Sequence, residues 1–261
     1  MAHGDGSARD ARSSGRIRAF RVIAVVMAVS AIAFGLFTAI FGAVSESQEI
    51  HAYHNVIVAS LLLVLSVPPV VAAAREPEGA APHLVHLVTL GVAAVATMAI
   101  ALMADVFTLP FVALAGVLLL LRVPREPAVG AGRPSIPLAI VVAVAAVPLL
   151  AYAIDQAGMQ RVDDASEHAQ LNHWVEVAFY AAAIPLLGAL AAIRPRVFRL
   201  AGLTAGAALA ILGGGSLLLE GYPSSPDPPW GWAALGGGLL LLGLVEWEAR
   251  RRASPDRVSA T

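Results

Sequence analysis

The chain of 261 residues has no cysteine and no lysine, and only 13% of it is charged. Without cysteine there can be no disulfide, thiolate metal site, iron–sulfur cluster or cysteine nucleophile. An average soluble domain carries about 25% charged and about 45–50% apolar residues. Here 58% of residues are hydrophobic and the mean hydropathy is +0.77. That balance excludes an ordinary soluble domain, a disordered chain and a nucleic-acid-binding module. All 17 basic residues are arginine, a composition that points to a GC-rich bacterial genome.

What the sequence does contain is long apolar runs. They fall at roughly 22–44, 56–74, 84–103, 106–121, 136–154, 171–193, 200–219 and 230–246. Crossing a bilayer takes about 20 residues of helix. The expected fold class is therefore an all-α integral membrane protein with eight transmembrane helices. From Leu84 to Leu121 the chain is apolar except for Asp105. As one helix this stretch would measure about 57 Å at 1.5 Å per residue, far more than the hydrocarbon core of about 30 Å. A hairpin at Asp105 is expected instead. Pro110 then falls in the first turns of the fourth helix, where proline is tolerated.

The arginines orient the chain. Arg9, Arg12, Arg16, Arg18 and Arg21 precede the first span, and Arg75 follows the second. Arg122, Arg125 and Arg133 lie between the fourth and fifth, and Arg194, Arg196 and Arg199 between the sixth and seventh. Arg250, Arg251, Arg252 and Arg257 follow the eighth. With eight spans all of these share one side, and Arg161 alone lies on the other. The positive-inside rule makes the arginine side cytoplasmic. The expected location is the bacterial cytoplasmic membrane, multi-pass, with both termini inside. The first span has a basic flank like a signal peptide, but its apolar stretch exceeds the 7–15 residues of such a segment, so it reads as a retained anchor.

The second half reads as a weak copy of the first. A shift of 119 residues lays His173 on His54 and Arg194 on Arg75. Pro68 and Pro69 in one helix have a counterpart in Pro185, and Asp105 and Glu220 each close an apolar run. The expected organisation is a basic N-terminus (1–18, disordered to about Gly15), a four-helix half (19–122), a linker (123–135), a second pseudo-symmetric four-helix half (136–249) and a tail (250–261). Glycines 213–215 and 236–238 predict a close pair of helices seven and eight, because small residues let membrane helices approach.

The chemistry-bearing residues gather on the side opposite the arginines. Glu46, Glu49, Asp105, Asp155, Asp163, Asp164, Glu167, Glu176, Glu220 and Asp227 fall there. So do His51, His54, His168 and His173, which sit in two loops. His51 and His54 are three apart and share a helix face, as do His173 and Glu176. His168 and His173 do so only if a helix begins between them. Glu176 lies about a turn inside the sixth span, where an ionisable group marks a functional site by default. Imidazole with carboxylate suits Zn²⁺, Cu²⁺, Ni²⁺ or iron. The expected ligands are His54 and His173, then His51, Glu49 and Glu176, with His168 and Glu167 last. His83 and His86 open the third span on the arginine side and read as interface residues.

The eight spans in two halves, with His54 and His173 opening the second helix of each, resemble the heme A synthase family in architecture. The resemblance implies a heme-ligand histidine from the second and fourth helix of each half. The fourth and eighth spans hold no histidine, His51 stands where the family has an acid, and Asn55 where it has an arginine. Heme is thus a weaker candidate than a bare metal ion. Three functions fit the residues. One is a cation-binding or transport protein, and one is a heme- or metal-dependent membrane enzyme or respiratory-complex assembly factor. The third is an accessory subunit without chemistry. The expected partners are the lipid bilayer and other membrane subunits, and no nucleic acid.

Overall fold

A computed structural model describes residues 5–44, 51–105, 108–121, 133–163, 165–193 and 198–253. Its apolar helices are α1 (Asp5–Val44), α2 (Ala52–Arg75), α3 (Ala81–Ala101), α4 (Thr108–Leu121), α5 (Ile136–Val162), α6 (His173–Ile193), α7 (Phe198–Leu218) and α8 (Pro228–Ala253). No strand occurs among the described residues. The chain is an all-α polytopic membrane protein. Seven of these helices are long and apolar enough to cross a membrane, and α4 is a shorter apolar helix of 14 residues. At 1.5 Å per residue α4 measures about 21 Å, less than the hydrocarbon core. The linker at 123–132 and the tail after Ala253 lie outside the described residues.

Helix α6 is the hub. It packs on α3, α5 and α7, and 83% of its apolar window is buried, against 22% for α5 and for α8. The peripheral helices show the complementary pattern. On α5, Ile136, Ile140, Val144, Val147 and Ile154 are exposed at helical spacing along one face. A stripe of bare aliphatics is stable only against lipid, where the helix satisfies its own backbone groups. The helix α1 begins at Asp5, inside the stretch expected to be disordered. Ala and Arg favour helix, and a long apolar helix downstream removes the nucleation cost.

The expected closeness of the last two helices is present in detail. A Cβ on Gly213 would stand 2.3 Å from the Leu235 nitrogen, and one on Gly238 would stand 2.4 Å from the Ala210 nitrogen. Each glycine faces backbone of the other helix, so α7 and α8 touch main chain to main chain.

The likeness between the halves goes little beyond the histidine positions. In α2, Leu61–Ser66 form a π turn ahead of the proline pair. Pro68 and Pro69 have no N–H, so the carbonyls of Val64 and Leu65 lose their i+4 donors. Nε2 of His86 lies 3.0 Å from the Leu65 oxygen and replaces one of them. His86 is fully buried, so it is a core residue and not the interface residue expected. Pro185 sits inside α6 with no such turn.

The hairpin at Asp105 forms as expected. Leu102 takes a left-handed conformation (φ 56°) and closes α3. Asp105 Oδ2 then accepts from the Thr108 N–H at 2.8 Å, satisfying a free donor at the start of α4.

Candidate functional site

One end of the bundle brings together the start of α2, the α3–α4 hairpin, the segment between α5 and α6, and the α7–α8 loop. The segment between α5 and α6 is shaped by local hydrogen bonds. Ser166 caps a single helical turn, Glu167–Gln170, by accepting from the Ala169 N–H. Asp163 accepts from the Ser166 N–H at 3.0 Å and from Trp174 Nε1 at 3.1 Å. The Ser166 hydroxyl and backbone bonds hold the Asp163 carboxyl below its ordinary range. Gln160 Nε2 donates to the Ala169 carbonyl at 2.8 Å. Asn172, left-handed at φ 64°, ends the turn and redirects the chain into α6. Asparagine tolerates that conformation better than most residues. The helix thus begins between His168 and His173, the condition under which both can face one point.

Four buried imidazoles meet there. The rings of His54 and His173 stack with centroids 3.5 Å apart. His51 lies 4.6 Å from His173 and 5.2 Å from His168. His168 lies 4.8 Å from His173 and 4.8 Å from Trp174. Nδ1 of His51 and Nδ1 of His168 are 3.2 Å apart. His54 Nε2 meets Glu176 Oε2 at 2.9 Å. All four histidines and Glu176 are buried.

Two ligand sets result, His51/His168/His173 and His54/His173/Glu176, and the ligating atoms of each lie within 4.8 Å of one another. A metal–nitrogen bond is about 2.0–2.1 Å, so two ligands of one ion lie no more than about 4.2 Å apart. The widest spacing in these sets exceeds that by at most about 0.6 Å. His173 belongs to both sets. These buried His/Glu groups could hold a metal ion. Three ring nitrogens, His51 Nε2, His54 Nδ1 and His173 Nδ1, are buried with no hydrogen-bond partner. An unpaired buried polar atom costs about 1–3 kcal/mol, and all three belong to residues of this cluster. Burial, and after it the adjacent His54 and His51, hold His168 down at about 4. It is therefore neutral near pH 7, the form that ligates.

The expected residues are distributed unevenly. His51, His54, His168, His173 and Glu176 come together. Glu167 stands at the rim, 58% exposed, with Oε1 3.6 Å from His51 Nε2, beyond hydrogen-bond range. Glu49 lies outside the described residues. The sequence reading placed Asp105 on this side without assigning it to the site, and it missed Ser224. Asp105 is fully buried, accepts from Asn172 Nδ2 at 3.4 Å, and is near enough to His54 and Glu176 to act on both electrostatically. Its signal was present: it is the lone charge in a long apolar run. Ser224, left-handed at φ 64°, puts Oγ 3.4 Å from His168 Nε2, and nothing in the sequence marks it.

The stacked His54 and His173 rings leave no gap for a porphyrin between them, so the pair cannot clasp a heme in this arrangement. Comparison with protein-family models, with curated proteins and with solved structures gave no match.

Proposed function

We propose that this chain is a membrane metalloprotein that holds a divalent first-row transition ion, zinc, copper(II) or iron, between the ends of α2 and α6. His173 is the shared ligand, with His51 and His168 on one side and His54 and Glu176 on the other. The observation that carries the reading is that two sets of three buried His/Glu ligand atoms, which share His173, each lie within 4.8 Å of one another. Metal coordination gives partners to the unpaired ring nitrogens, and one ion in either set can serve two of the three.

Binding is favoured over translocation by the polar groups within the spans. Ser60 is bonded to Tyr180 at 2.6 Å, and Tyr180 to the Ala208 carbonyl at 2.8 Å. Ser66 bonds back to Leu61, Thr89 to Val85 and Thr97 to Ala93. Each is used locally, and these groups do not form a polar route through the bundle. The described arginines at the opposite end, among them Arg21, which donates to the Ala74 carbonyl, and Arg250–Arg252 at the close of α8, support a cluster on the extracytoplasmic side.

The test is elemental analysis of detergent-purified protein, prepared without chelator, beside a His54→Ala/His173→Ala double variant. Stoichiometric zinc, copper or iron in the parent and none in the variant is the expected result. Metal-free parent protein would remove tight metal binding from consideration.

A further inference from the structure

A cavity of about 460 Å³ lies next to the histidine cluster, enclosed by α1, α2, α3, α4 and α6. Its volume falls within the range of small-molecule sites, which are mostly apolar with a few placed polar groups. The wall is apolar, with Leu61, Leu62, Leu90 and Val112 among its residues. Glu176 and Thr108 line it near the histidine end. Glu176 therefore borders two compartments, since its carboxylate also meets His54 Nε2. Ser30 and Phe34, which line the cavity from α1, are exposed. They mark an opening midway along a span, on a surface that faces lipid.

Two further features bear on the occupant. Leu61, Leu62 and Ser66 of the lining belong to the π turn of α2, and π turns inside helices occur often at functional sites. Among the described residues the lining contains no arginine and no histidine, and Glu176 is the one ionisable group. An anionic head would find no cation among the described lining residues to offset it, whereas a neutral hydroxyl can hydrogen-bond to the Glu176 carboxyl group.

We infer that this cavity binds an uncharged, membrane-dissolved long-chain alcohol or phenol. Its hydroxyl points to Glu176, and its chain lies along the π turn and leaves past Phe34. The inference does not require a metal ion at the cluster.

The experiment uses the full chain in phosphatidylcholine nanodiscs and a long-chain alcohol with a mid-chain diazirine. The matching diazirine fatty acid serves as the anionic control. Irradiation is followed by peptide mapping, on protein as purified and after chelator treatment. The expected labels fall on Leu61–Ser66 and on α3 near Leu90, with the alcohol about tenfold above the acid. Competition by an unlabelled alcohol or an unlabelled phenol tells which head is preferred. Ala94→Phe, which projects a ring from the α3 wall, should lower labelling about tenfold and leave metal content unchanged. Gly91→Leu is the second variant: a Cβ there meets nothing within 4 Å, so this change is compatible with folding. Equal labelling by acid and alcohol, labelling confined to the exposed face of α1, or labelling unaffected by both substitutions overturns the inference. Loss of metal with labelling retained fails the metal reading alone.

Discussion

Two regions of this protein bury histidine, and they do so differently. On α3, His86 stands with one ring nitrogen against the Leu65 carbonyl, a group that lost its helical donor to Pro69. Its Nδ1 has no partner, yet no set of three ligand atoms forms around it among the described residues. At the other end of the bundle four imidazoles and a carboxylate face one another, and His173 serves two sets at once. The contrast teaches that an unpaired buried nitrogen is not by itself a site. His86 repairs a backbone defect. The cluster instead brings residues with such nitrogens into two sets of three ligand atoms that lie within 4.8 Å of one another.

The largest expected effect follows from the proposed shared ligand. His173→Ala should reduce bound metal to background, while His86→Ala leaves it at the parent level, both read by elemental analysis. Metal lost equally in both variants would erase the distinction between the regions. Next come the ligands used once. His51→Ala and His54→Ala should each weaken binding in a competition titration without abolishing it, because each leaves the other set intact. If either single change were as severe as His173→Ala, the two sets would be one centre.

The third prediction concerns stability. His86→Ala should cost about 1–3 kcal/mol by stranding the Leu65 carbonyl, seen as a lower thermal midpoint in detergent. His86→Gln, which can still donate, should recover part of it. An unchanged midpoint in the alanine variant would remove the structural role assigned to His86. The smallest effect is a pH dependence. His168 is held at about 4 against its ordinary 6.5, so between those values the unfolded chain binds the extra proton. Stability of the metal-free protein should then be fully present above about 6.5 and fall as pH drops towards 4. His168→Gln should flatten that segment of the curve, and an identical curve in the variant counts against the burial of His168 as its cause.

Much of this was legible in the amino-acid order. The apolar runs are long because a bilayer demands it, so the helices could be counted. Asp105 had to be a turn because the run around it exceeds a membrane thickness. The glycines of α7 and α8 announced a close approach. His54 and His173 were visible as polar residues at the mouths of apolar helices. The role of His86 was not, since it depends on a carbonyl twenty-one residues away that only α2–α3 packing brings near. Nor was the use of Asp105 beside the cluster, or of Ser224, which a left-handed backbone turns towards His168.

The sequence by itself determined the solvent, the helices and the separation of arginine from histidine and acid along the chain. Those follow from hydropathy and charge, which act residue by residue. Which histidines meet was decided only by tertiary structure. Convergence depends on where helices end and how they lean, and apolar helix faces carry little information about their neighbours. The turn at Asn172 swings His168 back towards His51, and the packing of α2 against α6 stacks His54 on His173. These contacts join residues more than a hundred positions apart, and local preference has no reach over that distance.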